Sequence, residues 1–301
     1  MELSVTAGAL CALGSAVTWA LIGLVARALA PYFNALVVNM LRSALGGALL
    51  VVVVLLTGGL GSLREVGPEA WVYVTLSVIA GFALGDTMFF ESARSIGLAP
   101  AFTVSMIYPL IASAVAVWLF GERVTVSLAT GAVVALGGVT LIVTEQAPTS
   151  PATAATRHSA DAGRRGLTLA LLAACAWALS TLLMKPTVRD VDPVTIQAAR
   201  LPMAALALWL TPWARGTGRR LRIHLRDTGL LLLALGALTG ASAVLFIAGL
   251  KFAGVALTTI LSSTTPLFAL PIGYFALGER VSWRAAGGAA LCVAGLSLLS
   301  L

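Results

Sequence analysis

Asn39-Met40-Leu41-Arg42 stands inside one apolar run, and 158 residues later Gln197-Ala198-Ala199-Arg200 stands inside another. Trp19 recurs as Trp177 in the same 158-residue register. Further along, Pro109, Gly121-Glu122-Arg123 and Gly138 recur as Pro266, Gly278-Glu279-Arg280 and Gly295, each 157 residues later. Two registers one residue apart mean an internal duplication with little insertion inside the copies. Each copy sets an arginine within an apolar helix. A charge placed there twice is a functional hypothesis by default.

Composition names the solvent. Of 301 residues, 59% are hydrophobic and 10% charged, where a soluble domain carries about 25% charged residues. The mean hydropathy is +0.99. A chain of this size cannot hide so much apolar side chain in a water-soluble core, so the bilayer is the expected surrounding and partner. The net charge of +7 is concentrated in two loops and bears on topology. There is no room for a nucleic-acid-binding domain. Met1–Thr6 has one acid and no base, unlike the basic start of a signal peptide, so the first apolar stretch reads as a retained transmembrane helix. Cys11, Cys175 and Cys292 are far apart in apolar runs and fit neither a disulfide framework nor a zinc spacing. No metal or cofactor is expected.

A hydrocarbon core of roughly 30 Å needs about 20 apolar residues per helix. Ten segments meet that length: 5–29, 34–57, 71–90, 97–120 and 125–144, then 167–186, 193–213, 228–250, 254–277 and 282–300. The expected fold is an all-α polytopic membrane protein with a first repeat over 1–144, a linker over 145–166 and a second repeat over 167–301. Five helices per copy is an odd number. The second copy therefore enters from the opposite side, which gives an inverted-topology repeat, an architecture of many secondary transporters. Loop charge agrees. The 214–227 loop holds Arg215, Arg219, Arg220, Arg222 and Arg226, while its counterpart 58–70 has Arg64 beside Glu65 and Glu69. The positive-inside rule puts the linker and the 214–227 loop in the cytoplasm and both termini outside.

These residues resemble the EamA-type branch of the drug/metabolite transporter superfamily. The likeness lies in the two five-helix copies, the Trp midway along the first helix of each, the proline of the fourth, and the Gly-Glu-Arg turn before a Gly-rich fifth helix (Gly131, Gly137, Gly138; Gly287, Gly288, Gly295). The resemblance covers about residues 8–144 and 167–300. It implies a basket of helices around a central cavity, with the fifth and tenth packed outside, and export or exchange of small polar metabolites. It also implies termini in the cytoplasm, opposite to the loop charges.

Arg42 and Arg200 each lie about eight residues into a helix, roughly 12 Å deep. Insertion scales put a central arginine at about 2.5–3.5 kcal/mol, so each needs a partner. Asn39 and Gln197 precede them by three residues, on the same helical face. A guanidinium fork beside an amide suits a carboxylate or phosphate, and equally suits a structural pair that locks helices together. Asp86 and Glu91 occur once, since Ala243 and Ala248 stand at the matching places. Asp86 reads either as the counter-ion of an arginine or as a carboxyl that gains and loses a proton during transport. Glu91 reads either as a second proton or counter-ion carrier or as an interfacial residue paired with Arg94. Trp19 and Trp177 stand away from the interfacial belts, as cavity walls or packing residues, with Tyr108 a weaker candidate of the same kind. Pro109 and Pro266 break helical hydrogen bonding and are candidate hinges. The Gly-rich fifth and tenth helices permit close approach, within the fold or in a homodimer.

No Walker loop, Gly-x-Ser-x-Gly motif or His/Cys cluster is present, and His158 and His224 read as loop residues. The expected function is secondary transport, by alternating access, of small polar metabolites such as amino acids or other carboxylate- or phosphate-bearing compounds. The rival readings are a non-transporting membrane scaffold and an intramembrane enzyme acting on a lipid-linked substrate. Two lysines against seventeen arginines, with heavy Ala, Gly and Leu use, suit a GC-rich bacterial genome and hence a bacterial inner membrane.

Overall fold

The structure is a computed structural model. It describes the chain outside residues 1, 30, 60, 62, 64–65, 97–100, 102–103, 106, 122–124, 146–159, 189–190, 212–213, 215–216, 266, 269–270, 273–274, 276–281 and 299–301. Among the described residues it is helical, with no strand. The helices are α1 (Glu2–Leu29), α2 (Ala35–Thr57), α3 (Pro68–Val78), a π-helical segment (Ile79–Gly85), α4 (Asp86–Ile96), α5 (Tyr108–Phe120), α6 (Val126–Glu145), α7 (Ala160–Thr187), α8 (Pro193–Trp209), α9 (Thr217–Ser262) and α10 (Trp283–Leu298).

Five stretches among the described residues are long and apolar enough to cross a membrane: Ser4–Ala26, Leu36–Thr57, Pro68–Phe89, Gly163–Thr187 and Leu221–Ser262. Tyr108–Phe120, Ala129–Leu141 and Ala286–Gly295 are shorter apolar stretches. With their lipid-facing leucines, valines and tryptophans (Leu56, Trp118, Leu230 and Trp283 are all exposed), they make a polytopic membrane protein. The last long stretch holds a break. Gly254 has φ 83° and ψ 177°, a backbone state open to glycine and closed to most other residues, and it separates the expected eighth and ninth segments.

Packing is crosswise between the copies. α1 lies along α9, and α7 lies along α3, the π segment and α4. Ser15 Oγ meets Ser242 Oγ at 3.3 Å in the first contact. Ser180 Oγ donates to the Ser77 carbonyl at 2.7 Å, and Ser92 Oγ to the Gly166 carbonyl at 2.8 Å, in the second. α2 packs on α8 and α9, and α6 on α10. A Cβ on Gly138 would sit 2.5 Å from the Gly288 carbonyl oxygen, and one on Gly295 would sit 2.5 Å from the Ala135 nitrogen. The glycine faces of the fifth and tenth helices are thus consumed inside one chain. A homodimer through those helices would have to use their outward faces instead.

Four expectations change. Of the linker 145–166, the end is helix: α7 starts at Ala160, seven residues before the expected 167. Arg164 and Arg165 lie within this helix, before the apolar run, and the Arg164 carbonyl also accepts the Thr168 hydroxyl. The basic loop at 214–227 is helical from Thr217, because Leu221 packs onto the buried cluster of Ile22, Leu29, Phe33 and Leu232. His224 is therefore a helix residue, edge-on to Tyr32 at 5.2 Å and Phe33 at 6.2 Å. Pro109 lies in the first turn of α5, not within a continuous helix; a first turn leaves its missing N–H without consequence. Pro266, Glu122, Arg123 and the second Gly-Glu-Arg turn lie outside the described residues.

Candidate functional site

α2 starts at Asn34, whose Oδ1 accepts the Val37 N–H at 2.8 Å. Asn39 and Arg42 then fall one turn apart and both turn inward, 1% and 4% exposed. Arg42 Nε donates to Asn39 Oδ1 at 2.6 Å, and Nη2 donates to Asp86 Oδ2 at 2.7 Å. The guanidinium carbon stands 4.7 Å from the centre of the Trp19 ring, a cation–π distance. Asp86 uses its second oxygen as well: the Trp177 Nε1–H donates to Oδ1 at 2.9 Å. The indole packs against Phe89 at 5.2 Å and edge-on to Tyr108 at 5.9 Å. The Tyr108 hydroxyl reaches the Thr259 carbonyl at 3.5 Å. Arg42, Asn39, Asp86, Trp19, Trp177 and Tyr108 thus form one continuous cluster drawn from five helices and both copies.

Local backbone geometry presents Asp86. The preceding seven residues are π-helical, and the Asp86 N–H bonds to the Gly81 carbonyl, five residues back. Such wide turns are rare and concentrate at functional sites. A Cβ on Gly85 would lie 2.6 Å from the Trp177 ring, and one on Gly81 would lie 2.5 Å from Ser180 Oγ. The two glycines let α7 come close enough for its indole to reach the carboxylate.

The second arginine has different company. Asp192 caps α8 by accepting the Thr195 N–H at 2.9 Å. Gln197 Nε2 donates to the Ala243 carbonyl at 2.8 Å, and its Oε1 accepts from Arg200 Nη1 at 3.2 Å. Arg200 is 4% exposed, and its guanidinium carbon stands 5.5 Å from the Phe82 ring. Its Nε is buried without a hydrogen-bond partner among the described residues. Ala243 is the positional counterpart of Asp86. The same contact between helices is made in both copies, but only one of them supplies a carboxylate. A cleft of about 340 Å³ opens at the end of the bundle where α8 begins, lined by Val53, Thr57, Asp192 and Val194.

Glu91 is separate from both clusters. It is about 39% exposed, and its Oε1 stands 3.9 Å from Arg165 Nη2 on α7, a surface ion pair worth little. The Arg94 side chain lies outside the described set. Sequence reasoning missed Phe82 and Phe89. Both flank Asp86, but nothing in an apolar run distinguishes a phenylalanine that covers a guanidinium from one that faces lipid.

Comparison with known proteins follows the same lines. The model of the EamA-like transporter family matches residues 6–144 and 164–301. A curated protein of Archaeoglobus fulgidus, described as an uncharacterized transporter, is 26% identical over 230 residues, 76% of this chain and 75% of its own length. A solved crystal structure aligns with 97% of this chain and 96% of its own, with a TM-score of 0.76 at 20% identity. That last likeness speaks for the fold alone.

Proposed function

The chain belongs to the EamA-like transporter family, a member of the drug/metabolite transporter superfamily, and is thus a multi-pass membrane transporter; from that premise we propose that it is a secondary transporter of small polar metabolites bearing a carboxylate or phosphate, such as amino acids, working by alternating access as an exporter or exchanger. Ten crossings form two inverted repeats, 1–144 and 167–301, in a bacterial inner membrane. Crosswise packing of each copy's first helix on the other copy's third supports this arrangement. Arg42 and Arg200 supply the positive charge of the site, and Asn39 and Gln197 supply further hydrogen bonds. Trp19, Trp177 and Tyr108 wall it. Asp86 is the counter-ion or proton carrier of the site.

One observation carries the reading. Two arginines at matched places are each buried inside the bundle, 4% exposed. A scaffold gains little from such a pair, since buried charge adds little to stability over well-packed apolar residues. The test is flux of labelled metabolites in proteoliposomes for Arg42→Ala and Arg200→Ala. Both variants should insert and lose most of the flux. Full activity with normal insertion removes the site assignment.

A further inference from the structure

We propose that the two arginines divide the work unequally: Arg200 alone receives the ligand's anionic group, and the ligand is a monoanionic organic acid with an apolar body. The proposal rests on the transporter reading and deepens it.

The argument is a charge count. Among the described residues, the buried charged side chains are Arg42, Asp86 and Arg200. Asp86 neutralises Arg42 at 2.7 Å, and its other oxygen is held by Trp177 at 2.9 Å. Both oxygens of that carboxylate are already engaged, and Arg42 has no unmet charge for an anion. Arg200 differs in each respect. No carboxylate lies against it among the described residues, its one amide partner is neutral, and its Nε is buried without a partner. Among the described residues the buried charges therefore sum to one net positive charge, located at Arg200. An unneutralised guanidinium in a low-dielectric interior is disfavoured, and a mobile anion removes the penalty. One charge matches one charge; a dianion would leave a buried negative charge.

The surroundings specify the rest of the ligand. Phe82 covers the guanidinium, and it packs with Val51, Val194, Ala243 and Val244 around buried Leu50 and Leu201. An acid with an apolar or aromatic body suits these packed apolar neighbours better than a hydrated inorganic ion does.

Benzamide, benzoate and phthalate present the same ring with charge zero, minus one and minus two, and chloride serves as an inorganic monoanion. Binding is measured by calorimetry and thermal shift on the full-length protein in detergent, in sulfate buffer. Benzoate should bind at least tenfold more tightly than benzamide, phthalate or chloride. Arg200→Gln should weaken benzoate at least tenfold, and Arg200→Lys should restore part of the loss. Asp86→Asn adds a second unmatched charge and should shift the preference toward phthalate.

No benzoate binding, equal binding across the charge series, or unchanged benzoate binding in folded Arg200→Gln overturns the proposal. Chloride binding as tightly as benzoate also overturns it, since the site would then hold an inorganic ion. The wild-type series needs no variant, so a poorly folding Arg200→Gln leaves the test intact. Proteoliposome flux separates the two readings: Arg200-dependent binding with no flux of any bound acid sinks transport and leaves the anion site standing.

Discussion

Breaking the Arg42–Asp86 pair from one side should be costly, and breaking it from both sides much less so. The two side chains are 5% and 9% exposed and meet at 2.7 Å, so solvent screening gives no discount. Unit charges about 4 Å apart attract by about 4 kcal/mol at an effective dielectric of about 20. Removing one partner of a buried pair typically costs about 3–5 kcal/mol, because the other charge stays behind. Asp86→Asn keeps the shape and an oxygen for the Trp177 N–H, so its cost isolates the charge. Arg42→Gln removes the opposite charge with a shorter neutral side chain. With both replaced, two neutral amides remain beside Asn39. The double variant should fall short of the summed single costs by about 2–4 kcal/mol. The assay is reversible unfolding by SDS in mixed micelles, followed by far-ultraviolet ellipticity, for wild type, both single variants and the double. Additive effects, or single costs below about 1 kcal/mol, would refute the claim that the pair is a buried, desolvated unit.

Other outcomes follow from the same packing. Gly138→Ala should lower thermal stability sharply, because the new Cβ meets the Gly288 carbonyl and the Cys292 nitrogen, at 2.5 and 2.6 Å. Gly137→Ala meets nothing within 4 Å and should leave stability unchanged or raise it by up to the helix-propensity difference of about 0.8–1 kcal/mol, read as an unchanged or higher melting temperature. Trp177→Phe keeps the ring among Phe89 and Tyr108 but removes the N–H bond to Asp86; an SDS titration should show a loss of about 1.5–3 kcal/mol, the usual worth of a hydrogen bond to a charged group. Finally, loop charge predicts that Arg222→Cys resists a membrane-impermeant maleimide in intact cells while Gly61→Cys reacts, and the reverse labelling would place the termini in the cytoplasm.

The helical, membrane-spanning character was legible because hydropathy is a property of composition and local order. The long helices appear close to where the apolar runs put them, with α2 over Ala35–Thr57 against an expected 34–57. Boundaries drifted where polar residues continued a helix past the apolar run, as at Ala160 and Thr217. A backbone ladder does not stop where hydrophobicity does. The candidate polar residues were legible too, since a charge in an apolar run stands out. Their partners were not: Asp86 is 44 positions from Arg42, and Trp177 is 91 from Asp86.

From the sequence alone came the bilayer as solvent, the duplication, and the buried arginines as the residues to watch. Each follows from what a side chain costs in hydrocarbon, wherever its neighbours are. Tertiary structure alone decided which arginine is neutralised. Both copies bring the same helices together, but position 86 carries a carboxylate where position 243 offers only a carbonyl. Charge pairing acts over a few ångströms, and only folding sets those distances.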